Sequence, residues 1–174
     1  MRLKMYILIL LIPLFWACQD EVFTTTPSDS FVKDQPIEME INGNAVMLYP
    51  FEVSSSSANW GYSYSSEETG ATSDWDGQTN TDSILQYYGD TYCAASICDT
   101  MTAYGYTDWY LPAKNELEAI YQHFSASSGI FQSTYWSSTE SSADEAWMMD
   151  FSEAELQIAM KSNYNDVLAI RKVN

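Results

Sequence analysis

Residues Gly105 to Tyr121 read GYTDWYLPAKNELEAIY, and Lys114 to Phe124 continue as KNELEAIYQHF. Leu117, Ile120, Tyr121 and Phe124 recur at spacings of three and four, which places one apolar stripe on a helix that starts just after Leu111-Pro112. The Ser/Gly cluster from Ser125 to Gly129 ends it. Downstream the periodicity changes to two. Tyr135 to Thr139, Ala146 to Phe151, Leu156 to Met160 and Val167 to Val173 are strand candidates, and in AWMMDF the side chains of Trp147, Met149 and Phe151 fall on one face.

Upstream, Asn80 or Thr81 is placed to cap a helix carrying Ile84, Leu85 and Tyr88. A second helix carries Ala94, Ile97, Cys98 and Met101 and closes at Gly105. Ile37 to Ile41 alternates apolar and charged residues, Asn42-Gly43-Asn44 signals a turn, and Ala45 to Tyr49 resumes an apolar run, together a β-hairpin. Strands at both ends around central helices give an α+β domain with its terminal strands near one another. Its expected form is a small antiparallel sheet flanked by two to three helices with long irregular loops. The segment from Phe51 to Thr81, rich in Ser, Gly, Asn and aromatics, is the longest of those loops, a length that is uncommon without a function.

Taken in order, GYTDWYLPAKNELEAIY, the YWSSTE of Tyr135 to Glu140, AWMMDF and the closing AIRKV resemble the C-terminal domain family of bacterial collagen-like adhesins. That family is catalogued as a domain of unknown function and is related to C-type-lectin-like folds. The resemblance covers about Trp60 to Val173 and implies a C-type-lectin-like domain whose loops carry any ligand site. Trp109, Trp136 and Trp147 of the motifs read as structural, because a large ring with one donor serves best as a core anchor, and so does Pro112, which suits the first turn of the helix. Asp108, Ser137, Ser138 and Thr139 read as side chains that tie turns and strand ends to the backbone. Two departures bear on function. Family members that hold sulfated glycans imply basic surfaces, which this chain lacks. Nor are there Glu-Pro-Asn, Gln-Pro-Asp or Trp-Asn-Asp tripeptides, with which calcium-dependent lectins hold sugar.

The N-terminus, MRLKMYILILLIPLFWAC, has Arg2 and Lys4 before an apolar run from Met5 to Trp16, then Ala17 and Cys18. This is a signal-peptide layout, and Ala17-Cys18 resembles a bacterial lipobox. The expectation is that residues 1–17 are removed and Cys18 is lipidated, the alternative being ordinary signal cleavage that leaves Cys18 a free or disulfide-bonded thiol. Residues 18–36 read as the acylated cysteine and a polar tether, and residues 37–174 as the folded domain. Gln19-Asp20-Glu21 resembles an acidic tag for export, so the expected location is the outer membrane, lipid-anchored and facing outward at the cell surface. Cys93 and Cys98 read first as two packed thiols. Five residues of continuous helix separate them too far for a disulfide, which needs either a break in the helix between them or Cys93 ahead of the first turn.

The chain of 174 residues carries seven basic and 24 acidic residues, a formal charge of −17. Nucleic acid and sulfated polyanions are poor partners for such a surface. Trp60, Tyr62, Tyr64 and Trp75 are candidate ligand platforms, because flat rings among short polar side chains suit neutral sugars and peptides. Asp74, Asp76, Asn80 and Asp82 crowd oxygen atoms around Gly77 and are a candidate calcium set. They miss the EF-hand spacing, and helix capping explains the same cluster. Catalysis has no recognisable constellation: Glu140, Asp144, Glu145 and Asp150 have no legible pairing, and no Gly-x-Ser-x-Gly elbow occurs. The expected function is a non-catalytic, cofactor-free binding module for a glycan, peptide or protein. The alternative is a structural or accessory subunit of an adhesin-like or fimbria-like surface assembly.

Overall fold

A computed structural model describes residues 35–50, 57–61, 68–89, 91–124 and 132–173. The proposed signal peptide, Cys18 and most of the tether lie outside them. No helix among the described residues is long and apolar enough to cross a membrane.

Strands β1 (Ile37–Ile41) and β2 (Asn44–Leu48) form the expected hairpin. Asn42 and Gly43 both take positive φ, 49° and 75°, the backbone that a two-residue turn of the I′ type requires. The C-terminal strand β8 (Ile170–Lys172) pairs antiparallel with β2, so the two ends of the domain close one sheet in the order β1-β2-β8. A second sheet, β4-β5-β6, consists of Thr134–Glu140, Glu145–Asp150 and Glu155–Met160. The short strands β3 (Ala58–Asn59) and β7 (Tyr164–Asn165) form a third. Among the described residues the fold is thus α+β with three small antiparallel sheets rather than one.

The strand expected from Val167 to Val173 forms a ladder only over β8. Val167 and Ala169 face one core cluster, and Leu168 and Ile170 the other. This segment threads between two cores instead of lying in one sheet. The first core gathers Trp60, Trp109, Trp136, Ile84, Cys93 and Cys98, and the second Leu48, Tyr110, Leu117, Ile120, Tyr135 and Met149. Strand β5 serves both, with Ala146 and Met148 toward the first and Met149, followed by Phe151, in the second. Trp147 is half-buried, under the Lys114 ammonium 4.7 Å from its ring centroid.

Among the described residues there are three helices, α1 (Gly77–Tyr88), α2 (Ala94–Asp99) and α3 (Lys114–Phe124). The stripe of α3 buries Leu117 and Ile120, about 1.5–3 kcal/mol each. Helix α1 starts earlier than Asn80 or Thr81. Asp76 is its cap, accepting from the Thr79 amide, while the Asn80 and Thr81 side chains are buried in tertiary bonds. Helix α2 stops at Asp99, not Gly105. Tyr104 and Gly105, at φ 54° and 83°, instead form a tight turn closed by the Ala103–Tyr106 bridge. Cys93 is the N-cap of α2, and both it and Cys98 are buried free thiols.

Candidate functional site

Loop residues Ser73 to Asp76 are held from below. The buried Asn80 side chain accepts from the Ser73 amide at 2.9 Å and donates to the Ser73 carbonyl at 2.7 Å, and Thr139 Oγ1 donates to the same carbonyl at 2.9 Å. Ser73 Oγ accepts in turn from the amides of Trp75 and Asp76. The Asp74 carbonyl accepts from the Asn115 amide of α3 at 3.0 Å. The backbone carrying Trp75 is therefore fixed, while its side chain is 46% exposed.

Trp75 borders a cleft of about 240 Å³. The hairpin contributes Ile41, Asn42, Asn44 and Val46, the turn Trp75 and Asp76, α3 Glu116 and β8 Lys172. Lys172 Nζ lies 3.2 Å from Asp76 Oδ1, and each side chain is close to half exposed. Partial burial pushes the Asp76 carboxyl up, but hydrogen bonds from the Thr79 hydroxyl, Lys172 and the Thr79 amide outweigh it and hold the group below its ordinary value. Glu116 goes the other way. Burial raises its carboxyl in spite of hydrogen bonds from the Ala113 and Gly77 amides and the Tyr110 hydroxyl. Those three donors mark Glu116 as a support that ties the start of α1 to the start of α3. The cleft thus offers a flat indole, two side-chain amides and one ion pair, a set suited to a polar ligand with an apolar face.

Of the other candidate platforms, Trp60 is corrected. It is fully buried, its indole N–H donates to the Ser137 carbonyl at 2.7 Å, and the Lys161 ammonium sits 4.8 Å from its ring centroid. Tyr62 and Tyr64 lie outside the described residues. The four candidate calcium ligands are not brought together as a ligand set. Asp74 pairs with Lys114 at 2.8 Å, Asp76 caps α1 and faces Lys172, Asn80 clamps Ser73, and Asp82 is exposed on α1. Among the described residues no group of three or more His, Cys, Asp or Glu is placed to hold a metal ion.

Trp109 and Trp136 are buried, Trp136 donating to the Ala58 carbonyl at 2.8 Å, and Pro112 is buried at the head of α3. Ser137 and Thr139 bond backbone as expected, whereas Asp108 makes a bidentate ion pair with Arg171 at 2.7 and 2.9 Å. The sequence reading missed Glu116, Lys172, Asn42 and Asn44. For Glu116 a signal existed, a glutamate three residues after the position preceding the helix, the second half of a capping box.

No curated protein matches the chain. A fimbrial protein from Bacteroides ovatus of known crystal structure is similar at 15% identity and a TM-score of 0.47, over 72% of this chain and 35% of its own. The present chain therefore spans about a third of that protein. Residues 59–171, well over half of the chain, match the model of the family described as the Lcl C-terminal domain, the adhesin family that the ordered motifs resemble. The chain belongs to the Lcl C-terminal domain family.

Proposed function

We propose that the protein is a cell-surface lipoprotein, held in the outer membrane through acylated Cys18, whose C-type-lectin-like domain binds a neutral glycan, peptide or protein without chemistry of its own. The observation that carries this reading is Trp75: an indole left 46% exposed on a backbone that Asn80, Ser73 and Thr139 immobilise. Exposing a large ring on a rigid support is unfavourable for a lone domain and favourable for a binding platform, because no entropy is lost in ordering it on contact. The adjoining Asn42, Asn44 and the Asp76–Lys172 pair supply hydrogen bonds at the rim. With a formal charge of −17, the chain is unsuited to nucleic acid or sulfated polyanions.

The test is a glycan and peptide array probed with residues 19–174, once with calcium and once with chelator. Binding independent of calcium and lost in Trp75→Ala is the expected result. Retention of full binding by Trp75→Ala refutes the cleft as the site, and loss on chelation returns Asp74, Asp76, Asn80 and Asp82 to consideration.

A second reading, a subunit of a surface assembly, is favoured by one different feature. Strand β6 presents Ile158 and Met160 to solvent.

A further inference from the structure

Strand β6 runs Glu-Leu-Gln-Ile-Ala-Met from Glu155 to Met160 and pairs with β5 at every position, from Glu145↔Met160 to Asp150↔Glu155, with no shift of register. In the order β4-β5-β6 it is the edge strand, and among the described residues its outer side has no partner strand. Natural edges are blunted by lysine, proline, a bulge or brevity, because an open row of N–H and C=O groups captures other chains. Strand β6 has none of these devices, and from Leu156 to Met160 it carries no charge at all.

Its solvent face is apolar as well. Ile158 and Met160 are 45% and 42% exposed, and Ile158 stands opposite half-buried Trp147 across the ladder. Large exposed aliphatics on an unprotected edge are unfavourable in a protein that remains alone. Both ends of the strand are acidic: Glu153 and Glu155 are exposed at one, and Asp144 is exposed beside Glu145 at the other. The lysine that follows the strand, Lys161, is buried against Glu140 and offers no balancing charge. A second copy of so acidic a chain would bring like charges together at this edge, at a cost. A segment with basic flanks meets the same carboxylates with gain.

We propose that β6 is a docking edge at which an extended, basic-flanked segment of a partner protein adds as a further strand to the β4-β5-β6 sheet, its alternate apolar side chains resting on Ile158, Met160 and Trp147. Backbone bonds along the edge supply affinity and the alternate side chains supply selection. The inference uses no feature of the Trp75 cleft and stands or falls separately from it.

The experiment uses the full chain in detergent and a labelled synthetic peptide of alternating valine and threonine flanked by paired lysines. Titration by fluorescence anisotropy and amide hydrogen exchange are read together. The expected result is slowed exchange confined to residues 155–160, binding that weakens with salt, and at least about tenfold weaker binding to Ile158→Lys and to Met160→Lys. Both substitutions are at exposed positions, and an unchanged thermal midpoint verifies that the fold is intact. Equal binding by the variants, protection elsewhere or nowhere, or equal binding of a glutamate-flanked peptide overturns the proposal. Concentration-dependent dimerisation that protects β6 without peptide overturns it too, by assigning the edge to a second copy. Trp75→Ala is expected to leave this binding unchanged.

Discussion

Lys161 and Glu140 form an ion pair in the interior of the protein, with side chains 0% and 1% exposed. Lys161 also donates to the Ala143 carbonyl at 2.7 Å, and the Glu140 carboxylate accepts from the amides of Thr69 and Gly70 at 2.9 and 3.1 Å. The Glu140 amide in turn donates to the Ala71 carbonyl, so this one residue fixes the approach to the Ser73–Asp76 turn. A buried pair offsets its desolvation only when the remaining donors and acceptors are also met, and removal of one partner strands the other charge. Glu140→Gln and Lys161→Met are each expected to cost about 3–5 kcal/mol, and the double variant clearly less than their sum. Urea denaturation of the four proteins measures the cycle, and strict additivity would show that the two side chains do not act as a pair.

Trp60 and Trp75 are expected to separate in the same kind of measurement. Trp60→Ala empties a fully buried site and deletes the bond to Ser137, at about 3–5 kcal/mol. Trp75→Ala removes an exposed ring, with a change within about 0.5 kcal/mol. Comparable losses in the two variants would mean that Trp75 is a packing residue and not a platform.

The contrast between these two tryptophans shows where sequence reading ends. Both lie among Ser, Gly, Asn and Asp in one long segment, and partners far away in sequence, Ser137 at 77 positions and Lys161 above the ring, make Trp60 a core residue. The hairpin, the α3 stripe and the ordered family motifs were legible because each is carried by neighbours in sequence, with Asn42-Gly43 deciding a turn and Leu117 and Ile120 a face. The cleft was not. It joins Asp76 to Lys172 across 96 positions, and no local pattern reports such a meeting. The start of α1 was misplaced for a related reason. Asn80 and Thr81 are good capping types, but backbone partners at Ser73 and Leu111 claim their side chains, and Asp76 takes the cap.

Glu116 and Asp108 should give stability opposite dependences on pH. The Arg171 guanidinium, through hydrogen bonds that outweigh partial burial, holds Asp108 below its ordinary value of 3.8, so its contribution is present above that value and is lost as pH falls below it. Burial holds Glu116 above its ordinary value of 4.5. The folded state then binds the proton more tightly than the unfolded, so the contribution is full below pH 4.5 and is lost as pH rises through the raised value. Glu116→Gln imitates the protonated form and should gain stability relative to the parent as pH rises from about 4 toward neutrality. Denaturation midpoints across that range check it. A constant difference between the two proteins would show that the carboxyl titrates alike in both states.

Gly77 provides a test in which local propensity and packing predict opposite signs. It is the first residue of α1, and a glycine-to-alanine change inside an exposed helix ordinarily stabilises by about 1 kcal/mol. Here an added Cβ would lie 2.6 Å from the Ala113 nitrogen, the Leu111 carbonyl oxygen and Glu116 Oε2. Two of those atoms are backbone, and the third is the carboxylate that accepts the Gly77 amide at 3.1 Å, so no neighbour can yield without breaking the joint between α1 and α3. Gly77→Ala is therefore expected to destabilise by about 1–3 kcal/mol, as overpacking does. It should also weaken ligand binding, because Asp76 and Trp75 immediately precede the displaced residue. Gly89→Ala serves as the control: space around Gly89 is open, and its cost comes from a φ of 62° alone. That variant is expected to lose stability without loss of binding. A stabilised Gly77→Ala would mean that the ends of α1 and α3 are not packed as closely as these distances state.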